Sequence, residues 1–321
     1  MNHLFRWAAW CVTALVMTAC LSQSKDKDAG DEGLPESFQV LTFNLWHGGD
    51  AGKRPLSDTL RVLQRVDPDA VCFQEVQGLA ADQPDNAARL ARELGWNYVA
   101  LSGRRGIATR HTIVERAKDS IVIGLSSGRT VRVACVHLPA APYQPYQLAR
   151  IPYEGGRFLT TAEEAVAAAR AARGDQVSSL LIGLESALDN EEPLIVGGDF
   201  NEPSHLDWTQ AAVARGWYPF PVAWPTSSTL AQAGLVDTWR ALHPNPVEWP
   251  GLTWTPTTRP DDPNDRHDRI DWLLHAGSGV RPVRIRVVGE SSLTSEVVCD
   301  PWPSDHRAVA ATYLLTGAAA R

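Results

Sequence analysis

The chain has no basic run, no closely spaced cysteine pair and no internal repeat of fixed period. Without a basic run, and with a formal net charge of -7, it lacks the footprint of a protein that coats nucleic acid or wraps a duplex. A nuclease stays open, because bound cations offset a negative mean charge. The five cysteines, Cys11, Cys20, Cys72, Cys135 and Cys299, do not have the spacing of a zinc knuckle. Cys72 and Cys135 sit in apolar runs and read as buried small hydrophobes. The missing repeat excludes a solenoid. No linker-like composition divides residues 38–315, so that stretch reads as one folded unit.

What is present is an ordinary globular composition over 321 residues, 44% hydrophobic and 21% charged. Twelve tryptophans supply core and, in part, cleft. Residues 1–20 read as an export signal: Arg6, then the apolar stretch Trp7 to Ala19, too short to span a membrane comfortably. Ala19-Cys20 closes it in a pattern similar to a bacterial lipobox, although Met17 stands where leucine is usual. That resemblance implies lipid on the Cys20 thiol and anchoring to the cell envelope. Plain secretion or a periplasmic location is the alternative. Residues 21–37 read as a flexible tether and 38–316 as the folded domain.

Apolar runs predict strands at 38–43, 70–73, 97–101, 106–108, 120–125, 130–136, 193–196, 269–274, 280–288 and 308–315. Helical spacing falls at 56–66, with Ser57 or Asp58 as cap, and at 85–94, closed by Gly95. Longer helical stretches cover 160–188, interrupted near Gly174, and 203–215, capped by Ser204. A short helix is expected at 236–242, and residues 139–158 read as a surface loop. Many strands with helices between them predict two sheets packed face to face, helices outside.

Polar residues collect where these strands end: Asn44, Glu75, His137, Asp199, Asn201, Asp271, Asp305 and His306. The sharpest example is Gly197-Gly198-Asp199-Phe200-Asn201, where two glycines are expected to break a buried strand into a turn. Singly, each residue reads as a turn, a cap or a hydrogen-bonded histidine. Together they are an inventory for cation-assisted hydrolysis of a phosphoester.

The order Asn44 in TFNLW, Gln74-Glu75, His137-Leu138, Gly198-Asp199-Phe200-Asn201, Arg269-Ile270-Asp271 and Ser304-Asp305-His306 resembles the endonuclease/exonuclease/phosphatase superfamily. The resemblance runs from about residue 38 to 315 and implies an α/β, four-layer αββα sandwich. It implies that Glu75 is the principal ligand of Mg²⁺ (Mn²⁺ the alternative), with Asn44 and Asp305 beside it. It implies that Asp199 activates the attacking water and that Asn201 holds the phosphate or that water. His306 would contact the phosphate, Asp271 would fix its tautomer, and His137 would serve the leaving group.

Three functions follow for comparison. The first is a phosphodiesterase or phosphomonoesterase on a small or lipid-derived substrate, monomeric and membrane-tethered. The second is an extracellular nuclease, and the third an envelope binding protein without turnover. Arg104, Arg105, Arg110 and Arg157 are candidate phosphate contacts, with surface charge as the plainer reading. His111 and His267 stand similarly, and Trp46, Trp224, Trp249, Trp254 and Trp302 are candidates for an aromatic wall.

Overall fold

The computed structural model describes residues 34–80 and 82–316. The expected signal, Cys20 and most of the tether lie outside these residues. Thirteen strands are described: β1 (Glu36–Asn44), β2 (Ala70–Gln74), β3 (Asn97–Leu101), β4 (Arg105–Thr109), β5 (Thr112–Arg116), β6 (Ser120–Gly124) and β7 (Thr130–His137) in the first half. The second half gives β8 (Leu194–Asp199), β9 (Val236–Asp237), β10 (Asp271–Ala276), β11 (Val280–Gly289), β12 (Val297–Val298) and β13 (Ala308–Leu315). They form a seven-stranded sheet, β12-β11-β13-β1-β2-β4-β3, and a six-stranded sheet, β5-β6-β7-β8-β10-β9. Both are mixed, with parallel pairs β1–β2 and β7–β8 at their centres.

Strand alternation explains the layers. Phe38 and Val40 of β1 face the second sheet and pack with Val133, Cys135, Ile195 and Leu273. Leu41 and Phe43 face the other way, onto Val62 and Leu63 of α1 (Leu56–Val66) and Leu90 of α2 (Asn86–Leu94). In β7, Ala134 and Val136 turn outward, onto Val177, Leu180 and Leu184 of the long α4 (Ala162–Asp189). Strands covered on both faces must be apolar on both, which is why they read as continuous runs. The result is the expected four-layer αββα sandwich, and each fully buried leucine or phenylalanine contributes roughly 1.5–3 kcal/mol. Between α2 and α4 lies α3 (Gln144–Ala149); after β8 come α5 (Gln210–Ala214), α6 (Pro225–Gln232) and α7 (Thr238–Leu242).

Several local expectations change. The helix α4 runs unbroken through Gly174, where an added Cβ would meet only the Arg170 side chain; the buried Ala165, Ala169, Arg173, Val177 and Leu180 carry it across. Neither Ser57 nor Asp58 caps α1, which starts after Pro55, while Asp58 pairs with Arg54 and Arg61. Ser204 instead accepts Leu206 N–H in a turn, and Thr209 caps the short α5. The stretch 139–158 is not all surface, because it holds α3 with buried Tyr143 and Tyr146. Val236 and Asp237 form an edge strand, and Asp237 then caps α7. Edge strands β5 and β12, exposed or very short, give too weak an alternation to be read in the sequence.

Candidate active site

Strand register assembles the polar residues. His137 pairs with Asp199 in parallel β7–β8, and Asp271 pairs with Asp199 in antiparallel β8–β10. Three expected site residues therefore stand abreast at one end of the second sheet. In the other sheet Asn44 is paired with Gln74, which leaves Glu75 just past the strand end. Ser304 links the remaining segment: its Oγ donates to Asn44 O at 2.7 Å and accepts His306 N–H at 3.1 Å. Gly197 and Gly198 do not break β8, contrary to the turn expected there. They are needed for close approach, since a Cβ on Gly198 would lie 2.2 Å from Val136 O of the neighbouring strand.

The side chains then converge. Asn44 Nδ2 donates to Asp199 Oδ2 at 3.0 Å and to Glu75 Oε1 at 3.3 Å, so one amide joins the acids of both sheets. Asn201 donates its backbone N–H to Asp199 Oδ1 at 2.9 Å and its Nδ2 to Leu138 O at 2.9 Å. His306 Nδ1 lies 2.9 Å from Asp271 Oδ2, and His306 Nε2 lies 3.7 Å from Asp199 Oδ2. His137 Nε2 is 3.7 Å from Asp199 Oδ2 and 3.9 Å from Glu75 Oε1. Asp271 does not pair with its neighbour Arg269, which is held by Asp207 and Asp237.

Electrostatics separates the two histidines. Burial opposes charge on His306, but Asp271 and Asp199 outweigh it and hold the imidazolium well above its usual range. Burial dominates at His137 and lowers it, in spite of Asp199 and Glu75. Burial raises Asp199, with His306 opposing and Asp271 adding. At Glu75 burial is outweighed by His137, His306 and the Asn44 amide, and the carboxyl sits low.

Asp305 is pushed up to about 7 by burial, against the pull of His306 and with Glu75 and Asp199 adding to the rise. Its buried Oδ1 meets no hydrogen-bond donor among the described residues. An orphaned carboxylate oxygen in the same cleft as Glu75 fits a hard divalent cation with oxygen ligands. Asp199, Asp271 and His306 also bring ligand atoms within 4.8 Å of one another. His306 Nδ1 and Asp271 Oδ2 share a hydrogen bond, but Asp271 Oδ1 has no donor among the described residues, so this trio stands beside Glu75 and Asp305 as a candidate cation site. Asn44 turns its Nδ2 into the site while its Oδ1 accepts Trp46 N–H at 2.9 Å, an arrangement of a donor to carboxylates.

The cleft that these groups line has a volume of about 190 Å³. Trp46, His47, Glu75 and Asn201 line it with positive φ of 50°, 54°, 53° and 49°. Such backbone costs of order 1–3 kcal/mol per residue and collects at functional sites. A larger cavity of about 500 Å³, lined by Trp217, Tyr218, Arg266 and His267 among others, contains none of the strand-end acids.

Of the proposed aromatic wall, Trp46 and Trp254 line the acid cleft. Trp224 is fully buried, Trp302 packs on Phe43, and Trp249 stacks on His243. Arg105, Arg110, Arg157 and His111 pair with Asp119, Asp67, Glu164 and Asp69 and do not line the cleft. Arg104 reaches His47 Nδ1 at 2.7 Å. Sequence reasoning missed His47, Tyr143, Tyr146, Tyr153 and Ile270, all of which line it. The signal for the tyrosines was three rings within eleven residues of a stretch taken as surface.

The sequence profile of the endonuclease/exonuclease/phosphatase family matches residues 41–306. An uncharacterised protein of Caenorhabditis elegans is 28% identical over 303 residues, 86% of this chain and 91% of the relative. Among solved structures, an endonuclease/exonuclease/phosphatase protein of Beutenbergia cavernae aligns with a TM-score of 0.53 at 19% identity, over 88% of this chain and 72% of its own. An AP endonuclease from Archaeoglobus fulgidus aligns at 0.51 and 17%, over 85% and 98%. A 3′ phosphatase from Neisseria, bound to a product DNA hairpin, also aligns at 0.51 and 17%, over 85% and 98%. These likenesses show the fold.

Proposed function

Because the chain belongs to the endonuclease/exonuclease/phosphatase family and is a metal-dependent phosphoric ester hydrolase, we propose that it hydrolyses a small or lipid-derived phosphoester by in-line attack of water. The observation that carries this reading is the register that sets His137, Asp199 and Asp271 abreast, with Asn44 reaching from the other sheet to Asp199. Residues 38–316 are the catalytic domain in this reading, and a monomer suffices.

A divalent cation, Mg²⁺ or alternatively Mn²⁺, held by Glu75 and Asp305, neutralises phosphate charge when bound. Asp199, fixed by Asn44 and Asn201, accepts a proton from water as the new O–P bond forms and the ester P–O bond breaks. His306, positive and 2.9 Å from Asp271, stabilises the charge that collects on phosphorus oxygens. His137, kept neutral by burial, donates a hydrogen bond on the leaving-group side. Asp271 is a positioning residue, since it acts through His306.

A nuclease of the same mechanism is the second reading, favoured by the DNA-bound Neisseria 3′ phosphatase. Against it stands the cleft, whose lining includes no lysine or arginine. The site of action is the cell envelope, through lipid on Cys20. Cys20→Ser is expected to move the protein from the membrane to the soluble fraction; retention in membranes would overturn the anchor.

The test of function is a panel of bis-aryl and mono-aryl phosphates, plasmid DNA, RNA, sphingomyelin and inositol phosphates, each with Mg²⁺, Mn²⁺ or EDTA. Asp199→Asn and His306→Ala should each lower kcat by roughly 10²–10⁴-fold, and EDTA should abolish turnover. Activity indifferent to all three would sink the mechanism. Turnover of nucleic acid alone would promote the nuclease.

A further inference from the structure

Much of the rest of the cleft is made of rings. Trp46, Tyr143, Tyr146, Tyr153, Trp254 and Ile270 line it beside the acids. Tyr146 sits at the centre, edge-on to Tyr143 at 5.0 Å and to Tyr153 at 5.3 Å between ring centroids. The Trp254 ring lies 4.8 Å from the His306 ring, within reach of anything bound to that histidine. Three of their polar tips are already engaged. Tyr143 Oη donates to Asp268 Oδ2 at 2.9 Å, Tyr146 Oη to Asp265 Oδ1, and Trp254 Nε1 to Tyr146 Oη at 3.2 Å. These bonds fix Tyr143, Tyr146 and Trp254 in place as part of the cleft wall.

The charges in the cleft point the same way. Its lining holds the acids Glu75, Asp199 and Asp305 and no lysine or arginine. Arg104 is committed to His47 Nδ1 at 2.7 Å and Gln77 O at 2.7 Å. One phosphate can be held with a cation and His306, but beyond His306 a second would find no lysine or arginine on these walls. The size is also restrictive: about 190 Å³ is only a little more than the roughly 150 Å³ of an apolar cavity that accepts benzene.

We infer that this cleft selects a phosphate ester of a single aromatic alcohol, its ring lodged by Trp254 and Tyr153 and its one phosphate on the acid side. This inference rests on the phosphoesterase reading above and deepens it. Hydrolysis then releases a phenol-like or benzyl-like alcohol: water supplies the new P–O bond, the ester P–O bond breaks, and the departing oxygen takes up a proton. Polyphosphorylated or polynucleotide substrates are disfavoured in the same cleft.

The test reads binding apart from turnover. Phenylphosphonate and methylphosphonate, which carry the same charged group and cannot be hydrolysed, are titrated calorimetrically into the full chain with Mg²⁺ or Mn²⁺. Phenylphosphonate should bind at least about tenfold tighter, the gain expected from burying one ring against others. Trp254→Leu and, separately, Tyr153→Ala should shrink that ratio. Equal affinity for the two phosphonates in the wild-type chain overturns the inference, and so does a short oligothymidylate that binds tighter than phenylphosphonate. Equal affinities with intact hydrolysis of bis-aryl phosphate overturn the aromatic preference alone. A tenfold ratio with no hydrolysis under any metal supports the ring pocket and overturns the hydrolase reading on which it was built.

Discussion

His306 is held between Asp271 Oδ2 at 2.9 Å and Asp199 Oδ2 at 3.7 Å, and these carboxylates outweigh its burial. Its raised folded pKa stabilises the fold fully below the unfolded histidine value, about 6.5. That contribution is lost as pH rises through the folded value. Asp271→Asn removes the nearer carboxylate, so the imidazole should titrate at lower pH, read by NMR of the histidine ring, and kcat should fall. An unchanged His306 titration would mean that Asp271 does not set its charge.

A second buried pair acts at a distance. Arg173 and Glu202 are both inaccessible, 3.8 Å apart, and Arg173 also donates to Gln144 Oε1 at 2.7 Å and Pro142 O at 3.2 Å. It thereby ties the tyrosine-bearing segment to α4. Arg173→Met strands the Glu202 charge and should cost about 3–5 kcal/mol in urea unfolding. Adding Glu202→Gln should recover part of it; no recovery would show that the packing of Arg173, and not its charge, matters.

At the scale of the element, β8 shows how a sequence signal was seen for the wrong reason. Gly197-Gly198 marked the site correctly in position, but as a strand break. The chain instead stays extended through Asp199, and glycine is required there because Val136 O leaves no room for a Cβ at position 198. Gly198→Ala should therefore destabilise by roughly 1–3 kcal/mol through overpacking, seen as a lower melting temperature. A melting temperature equal to wild type would mean that β7 gives way freely.

The same distinction governs what could be read beforehand. Central strands such as β1, β7 and β10 were legible because burial on both faces writes an apolar run into the sequence. The polar residues that end them were legible because a charge directly after such a run is conspicuous. The tyrosine segment was not, since Tyr143 and Tyr146 are buried by α4 and the loop before β10, contacts that no local spacing reports. Nor was the cap of α1, where Asp58 turned to two arginines.

For the whole molecule, the cation proposed for Glu75 and Asp305 would need β2 and β13 both in place in the seven-stranded sheet. Saturation at about a hundred times the dissociation constant should add about 2.7 kcal/mol of stability. Millimolar Mg²⁺ or Mn²⁺ should raise the melting temperature and EDTA reverse the gain. A melting curve unmoved by either cation would argue against a site at this pair.

The latch between Ser304 Oγ and Asn44 O joins residues 260 positions apart, and β13 lies against β1 from Glu36 through Thr42. During synthesis β1 waits as an incomplete edge until nearly all of the described chain has emerged. Until then His306 has no Asp271-facing seat and the acids have no third wall. If the proposed mechanism holds, the nascent protein is silent until β13 docks, and a ribosome stalled before codon 306 should hold a chain without phosphoesterase activity.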